Sequence, residues 1–166
     1  MLLEGSCHCG KVRFSLQSEE PWPYQRCYCS ICRKTGSGGF MINLGGDMRT
    51  MKIEGEEHLS HYRATLERDG ERWQSKHHRY FCKRCGCHLY AWSENWPDLV
   101  HPVASCIDTP LPTPPSYVHM MIGSRAGWVP VQSESGDEQY EEFPTKSLAA
   151  WHQEHGYSER EPSETP

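Results

Sequence analysis

Apolar positions along this chain come in short bursts with a period of two, punctuated by glycine and proline. Val12, Phe14 and Leu16 alternate with Lys11, Arg13 and Ser15, which predicts a half-buried strand with its polar residues outward. Pro21 and Pro23 flank Trp22 and end that strand, because proline cannot donate to a ladder. After Gly36, Gly38 and Gly39, residues 40–44 read as another strand, closed by the turn residues Gly45 and Gly46. Residues 48–66 carry short strand signals around Gly55, and Arg79-Tyr80-Phe81 lead as strand into Cys82. The proline-rich stretch 97–115 reads as irregular, and residues 117–122 as a returning strand. A helical period occurs only at 145–155, with Thr145 as its expected cap and Gly156 as its stop. The expectation is therefore a mainly β single domain over residues 1–156, with one short C-terminal helix and a flexible polar tail at 157–166.

Composition explains why such a chain needs reinforcement. Of 166 residues only 36% are hydrophobic and mean hydropathy is −0.76, so the core is modest. No run approaches the roughly 18 apolar residues of a membrane span, and the apolar opening Met1-Leu2-Leu3 is too short for a secretory leader. A cytoplasmic, reducing compartment is expected, with no membrane partner. Seventeen Lys and Arg against 22 Asp and Glu give a net charge of −5, which disfavours nucleic acid. Nine cysteines in a reducing compartment point to metal rather than to disulfides.

Eight of the nine fall into Cys7-x-Cys9, Cys27-x-Cys29-x-x-Cys32 and Cys82-x-x-Cys85-Gly86-Cys87. Zinc favours four soft ligands in a tetrahedron, with Zn–S near about 2.3 Å. If Cys7 and Cys9 lie on a strand they share a face about 6.5–7 Å apart and can converge on one ion. Cys82-x-x-Cys85 followed by Gly86 has the form of a zinc knuckle, where glycine admits a positive φ. The most economical division is a closed four-thiolate site from Cys7, Cys9, Cys82 and Cys85, leaving Cys27, Cys29 and Cys32 as an open three-thiolate set. Closed sites are usually structural, whereas an open position suggests chemistry. Other divisions stay open at this point: Cys27 as a buried apolar thiol, or Cys87 or His88 completing a second closed site. Cys87 is otherwise expected to pack, Cys106 to be a buried small hydrophobe, His8 to point away from the metal, and His77 and His78 to be solvated.

Three stretches taken in order resemble the glutathione-dependent formaldehyde-activating enzyme family. They are Gly5-Ser-Cys-His-Cys-Gly-Lys-Val-Arg-Phe, then Cys27-Tyr-Cys-Ser-Ile-Cys-Arg-Lys, then Phe81-Cys-Lys-Arg-Cys-Gly-Cys-His-Leu-Tyr. The family is also called S-(hydroxymethyl)glutathione synthase and includes centromere protein V. Ile107-Asp108-Thr109-Pro110 and Gly127-Trp128 are similar to its looser, later signatures. The resemblance implies a β-tent-like fold of several coiled antiparallel sheets stapled by zinc. It also implies two zinc ions per chain: a structural one on Cys7, Cys9, Cys82 and Cys85, and a second on Cys27, Cys29 and Cys32. Cys87 departs from the family pattern, where a hydroxyl or small residue commonly follows the knuckle glycine.

The implied activity is that of a carbon–sulfur lyase joining glutathione to formaldehyde or another small aldehyde. A free thiol has a pKa near about 8.5, and a metal-bound one is deprotonated outright. Three thiolates around Zn²⁺ give a net charge of −1 and a poor electrophile, which favours capture of the substrate sulfur over polarisation of the aldehyde. Arg33 and Lys34, beside Cys32, are the expected contacts to glutathione carboxylates. The rival expectation is a non-catalytic zinc protein that carries glutathione or docks a partner.

Overall fold

The computed structural model describes residues 1–157; the rest of the expected tail, 158–166, lies outside the described residues. Three sheets share one core. The first contains β1 (Leu2–Ser6), β2 (Arg13–Gln17) and β6 (Lys52–Glu54), all antiparallel. Val12, Phe14 and Leu16 are buried as their alternation requires. β1 pairs along its full length with β2, and its inward Leu3 extends the same apolar face.

The second sheet is five-stranded and antiparallel, in the order β5-β12-β11-β10-β7. It consists of β5 (Gly46–Asp47), β7 (Leu59–Tyr62), β10 (His77–Cys82), β11 (His88–Ser93) and β12 (Trp96–Pro102). β12 corrects the expectation of irregular chain after residue 97. Pro97 and Pro102 sit near the two ends of the strand, where fewer ladder bonds are lost, and Leu99 and Val100 pair with β5 between them. The run 71–81 is likewise divided. β9 (Glu71–Gln74) folds back on β8 (Thr65–Arg68) as an exposed hairpin, turned at Asp69 and Gly70 with positive φ.

The third sheet is β14 (Glu138–Gln139), β13 (Tyr117–Met120), β3 (Tyr24–Cys27) and β4 (Met41–Asn43). Its β3–β4 pair is antiparallel, whereas β13 runs parallel to both β3 and β14. A parallel pair needs a long crossover, and the whole five-stranded sheet lies within the connection from β3 to β13.

Two helices complete the fold. α2 (Leu148–Glu154) matches the expected C-terminal helix, but Ser147 rather than Thr145 caps it, its hydroxyl accepting from the Ala150 N–H at 3.1 Å. Trp151 is buried, and Tyr157 stacks on it at 5.9 Å between ring centres. α1 (Ser30–Gly36), unexpected from the sequence, lies within the middle cysteine cluster. The core that these elements enclose is contiguous with the thiols: Cys7, Cys27, Cys32 and Cys82 belong to the same buried cluster as Leu3, Phe14, Leu89 and Val100.

Candidate metal centres

The four sulfurs of Cys7, Cys9, Cys82 and Cys85 all lie within 4.8 Å of one another. Cys7 and Cys9 are 3.5 Å apart, and Cys9 and Cys82 are 3.8 Å apart. Ligands at about 2.3 Å in a tetrahedron sit about 3.8 Å from each other, so this donor set fits a zinc ion. Convergence does not come from a strand, as the sequence suggested. β1 ends at Ser6, and Cys7 to Gly10 form a turn in which the Gly10 N–H donates to the Cys7 carbonyl at 2.8 Å. The Cys82 loop repeats this design, its Gly86 N–H donating to the Cys82 carbonyl at 2.8 Å. Both glycines have positive φ, +70° and +72°.

Backbone donors then aim at the sulfurs. The Val12 N–H lies 3.3 Å from Cys7 Sγ. Desolvation opposes ionisation of Cys85, but the N–H groups of Cys87 and Cys9, with the thiols of Cys82 and Cys9, together outweigh it and bring the thiol down to about 6. Cys82 is fully buried, whereas Cys9 and Cys85 reach the surface. His8 is exposed in its turn and takes no part in the cluster.

The second cluster is built differently. Cys27 ends β3, Cys29 caps α1, and Cys32 sits in the first turn of α1 with its N–H donating to Cys29 Sγ at 3.3 Å. The three sulfurs lie within 4.8 Å of one another, and among the described residues only these three converge there. Cys27 is thus part of the cluster, and neither Cys87 nor His88 completes a second four-ligand site. Hydrogen bonds from the Cys27 and Cys32 thiols hold Cys29 ionised, down to about 2, while the same contacts push Cys27 far above its usual range. The protons that remain on Cys27 and Cys32 in that arrangement are what a soft divalent cation would displace.

Tyr28 stands between two of these thiols and is anchored. Its N–H donates to the Met120 carbonyl on β13 at 3.0 Å. Its hydroxyl meets His119 Nδ1 at 2.9 Å, and His119 Nε2 meets Asp137 Oδ2 at 3.1 Å. Asp137 also accepts from the backbone N–H groups of Tyr117 and Glu134. With Tyr28 donating to Nδ1, the Nε2–H donates to the carboxylate, so all three side chains are satisfied in the dry interior. Neighbouring side chains in extended backbone point to opposite sides, so anchoring Tyr28 sets the direction of Cys27 and Cys29. The strand signal at 117–122 was readable, but nothing local marked His119 as buried or Asp137 as its partner.

Arg33 and Lys34 occupy the last turn of α1. Arg33 is half-buried with its Nε unpartnered, and Lys34 is exposed. His77 and His78 differ from expectation, being half-buried rather than solvated. His78 packs on His61, Tyr80 and Trp92 and approaches Glu94 at 3.2 Å. His77 packs on Trp96, and burial reinforced by Arg79 holds it down to about 4. Cys106 is buried as expected, its sulfur 3.4 Å from that of half-buried Cys87, which packs on the core.

Fold and site together define a class: a mainly β protein whose core contains two converging thiol clusters, one of four cysteines and one of three. The family model of the glutathione-dependent formaldehyde-activating enzyme matches residues 2–124, and the chain belongs to that family. A Halomonas elongata protein that carries the family's name provisionally is 49% identical over 160 residues, covering 96% of this chain and 99% of its own. A crystal structure of a Rhodobacter sphaeroides protein aligns over 66% of this chain and 91% of its own, at 21% identity and a TM-score of 0.49. No helix among the described residues is long and apolar enough to cross a membrane.

Proposed function

We propose that this protein is a zinc-dependent carbon–sulfur lyase of the S-(hydroxymethyl)glutathione synthase type, working in the reducing environment of the cytoplasm. The observation that carries the reading is the unequal pair of clusters in a member of this family: four sulfurs in a closed set and three in a set that leaves one tetrahedral position over. In the reaction the glutathione sulfur bonds to the aldehyde carbon, the carbonyl π bond opens, and the thiol proton ends on the oxygen. Zinc held by Cys27, Cys29 and Cys32 would supply an environment in which an incoming thiol ionises at neutral pH.

The chain's own residues preorganise that position. The Cys32 N–H fixes Cys29 at the start of α1, and the Tyr28–His119–Asp137 network fixes the backbone between Cys27 and Cys29. Arg33 and Lys34, one turn further along α1, are proposed contacts to glutathione carboxylates, since a guanidinium fork matches a carboxylate. Cys7, Cys9, Cys82 and Cys85 would hold a second zinc whose task is to clamp two hairpin loops. All seven thiols must stay reduced for either ion to bind, which is why the proposal includes a reducing compartment.

Metal analysis and exchange spectroscopy test this together. Two zinc ions per chain are expected, with glutathione–formaldehyde exchange faster than the uncatalysed rate. One ion per chain would sink the open-site model. Two ions, bound glutathione and no acceleration would make the protein a carrier instead.

A further inference from the structure

Seven of the nine cysteines are drawn into the two clusters, and the remaining two meet each other. Cys87 Sγ lies 3.4 Å from Cys106 Sγ, closer than Cys7 and Cys9 inside the closed cluster at 3.5 Å. Neither belongs to a converging set of three or more ligand groups among the described residues, so the pair lacks the donors of a metal site.

Backbone contacts hold both sulfurs in place. The Cys82 N–H donates to the Cys87 carbonyl at 3.0 Å, which fixes Cys87 at the close of the knuckle loop. Cys106 ends a 3-10 turn, Ala104–Cys106, and its N–H donates to the Val103 carbonyl at 2.9 Å. That turn is pinned to the first sheet, because Ile107 bridges Gly5 and the Asp108 N–H donates to the Glu4 carbonyl at 2.7 Å. The Cys106 thiol donates to the His88 carbonyl at 2.8 Å, so its proton points to that oxygen rather than to Cys87. An S–S bond measures about 2.05 Å, so an approach of about 1.4 Å separates this contact from a disulfide. The two thiols differ in access. Cys106 is buried, whereas Cys87 is half-buried beside the exposed Cys85 and Gly86. An oxidant from solvent therefore meets Cys87 first, with Cys106 behind it. Packing of two small apolar side chains is the competing role.

We propose that Cys87 and Cys106 form a reversible redox-modification site, joined as a disulfide by exchange with a low-molecular-weight disulfide such as glutathione disulfide. In the first step the Cys87 sulfur attacks one sulfur of the small disulfide. Its S–S bond breaks, and one small thiol leaves with the Cys87 proton. In the second step the Cys106 sulfur attacks the Cys87 sulfur of the mixed disulfide, and the second small thiol leaves with the Cys106 proton. Two protein thiols are oxidised, and one small disulfide is reduced to two thiols. Transient disulfides of this kind are the ones that form in a reducing compartment. The bond would tie the knuckle loop to the turn that rests on β1, bracing the closed cluster while using none of its ligands. The pair reacts independently of the substrate that the open cluster takes.

Peptide mapping of the zinc-loaded full chain tests this, after incubation with excess glutathione disulfide, acid quenching and alkylation of free thiols. Trypsin and chymotrypsin together cut after Arg84, Tyr90 and Leu99, which separates Cys85 and Cys87 from Cys106. Fragmentation then distinguishes a link to Cys87 from a link to Cys85. The expected result is a Cys87–Cys106 link in most molecules, a mass lower by two hydrogens, and reversal by excess reduced glutathione. Cys106→Ser should instead stop at a lasting Cys87–glutathione adduct, and Cys87→Ser should leave Cys106 unmodified. A wild type in which both thiols stay alkylated, or in which Cys87 keeps its glutathione, would overturn the proposal without any variant having to fold. So would a link from either thiol to one of the seven clustered cysteines in place of the Cys87–Cys106 bond.

Discussion

His88 is buried, and desolvation followed by the Arg79 charge, against a weaker opposing contact with the Tyr90 backbone, holds its pKa at about 4, against 6.5 for a free imidazole. Between those two pH values the unfolded chain carries the extra proton, so stability falls as pH drops from 6.5 toward 4. His88→Phe should flatten that fall by up to about 1.4 kcal/mol per pH unit, measured by urea unfolding at several pH values. An unchanged slope would show that His88 finds a proton partner in the fold. Asp137 presents the opposite case. Burial works against its charge, but the Glu134 and Tyr117 N–H groups and His119 overcome it and hold the carboxyl below its usual range. Its stabilising effect is fully present above about pH 4 and is lost as pH falls through the lowered value. Asp137→Ala should cost about 1–3 kcal/mol at neutral pH by leaving buried donors unmet, and Tyr28→Phe should show coupling to it in a double-mutant cycle. Additive effects would break the proposed link between Asp137 and the backbone around the cysteines.

At the scale of elements, the two cysteine loops at Cys7 and Cys82 are the most informative pieces. Gly86 has φ +72° and nothing within 4 Å of where a Cβ would stand, so alanine there meets only the left-handed backbone penalty. Gly86→Ala should destabilise by about 1–2 kcal/mol in chemical unfolding, whereas Gly127→Ala, equally uncrowded but without positive φ, should be close to neutral. Equal effects at both positions would mean that the loop conformation is not what glycine serves. The Cys82 loop was readable in the sequence because a knuckle is a local object, written in adjacent residues. The Cys7 loop is half legible: the convergence of Cys7 and Cys9 with Cys82 and Cys85 follows from the spacing, but the turn that unites them does not, because the neighbouring alternation favours extended strand. α1 escaped notice because its cap is Cys29, a sulfur acceptor in place of the usual Ser, Thr, Asp or Asn. β12 was hidden by prolines that only its position at both ends of the strand makes harmless. The parallel β3–β13 pair depends on a partner far along the chain, and no local period records such a partner.

For the whole molecule, a chain with 36% hydrophobic residues places five cysteines in the same buried core as its aliphatic side chains. The closed cluster joins the β1–β2 connection to the β10–β11 connection, so it links the first sheet to the second. Cys85→Ser should therefore unfold the protein or leave it with a strongly lowered thermal midpoint, and a strong chelator should do the same to the wild type. The open cluster lies at the end of the third sheet and is asked for chemistry rather than cohesion. Cys29→Ser is the sharpest probe of that division, because serine is itself a good helix cap and spares α1 while removing one sulfur. The decisive measurement is the rate of glutathione–formaldehyde exchange by two-dimensional exchange spectroscopy, for wild type and Cys29→Ser, with thermal unfolding of both recorded alongside. Acceleration by the wild type, its loss in Cys29→Ser and a nearly unchanged thermal midpoint are the predicted result; a folded Cys29→Ser variant that accelerates exchange as well as the wild type would contradict the account.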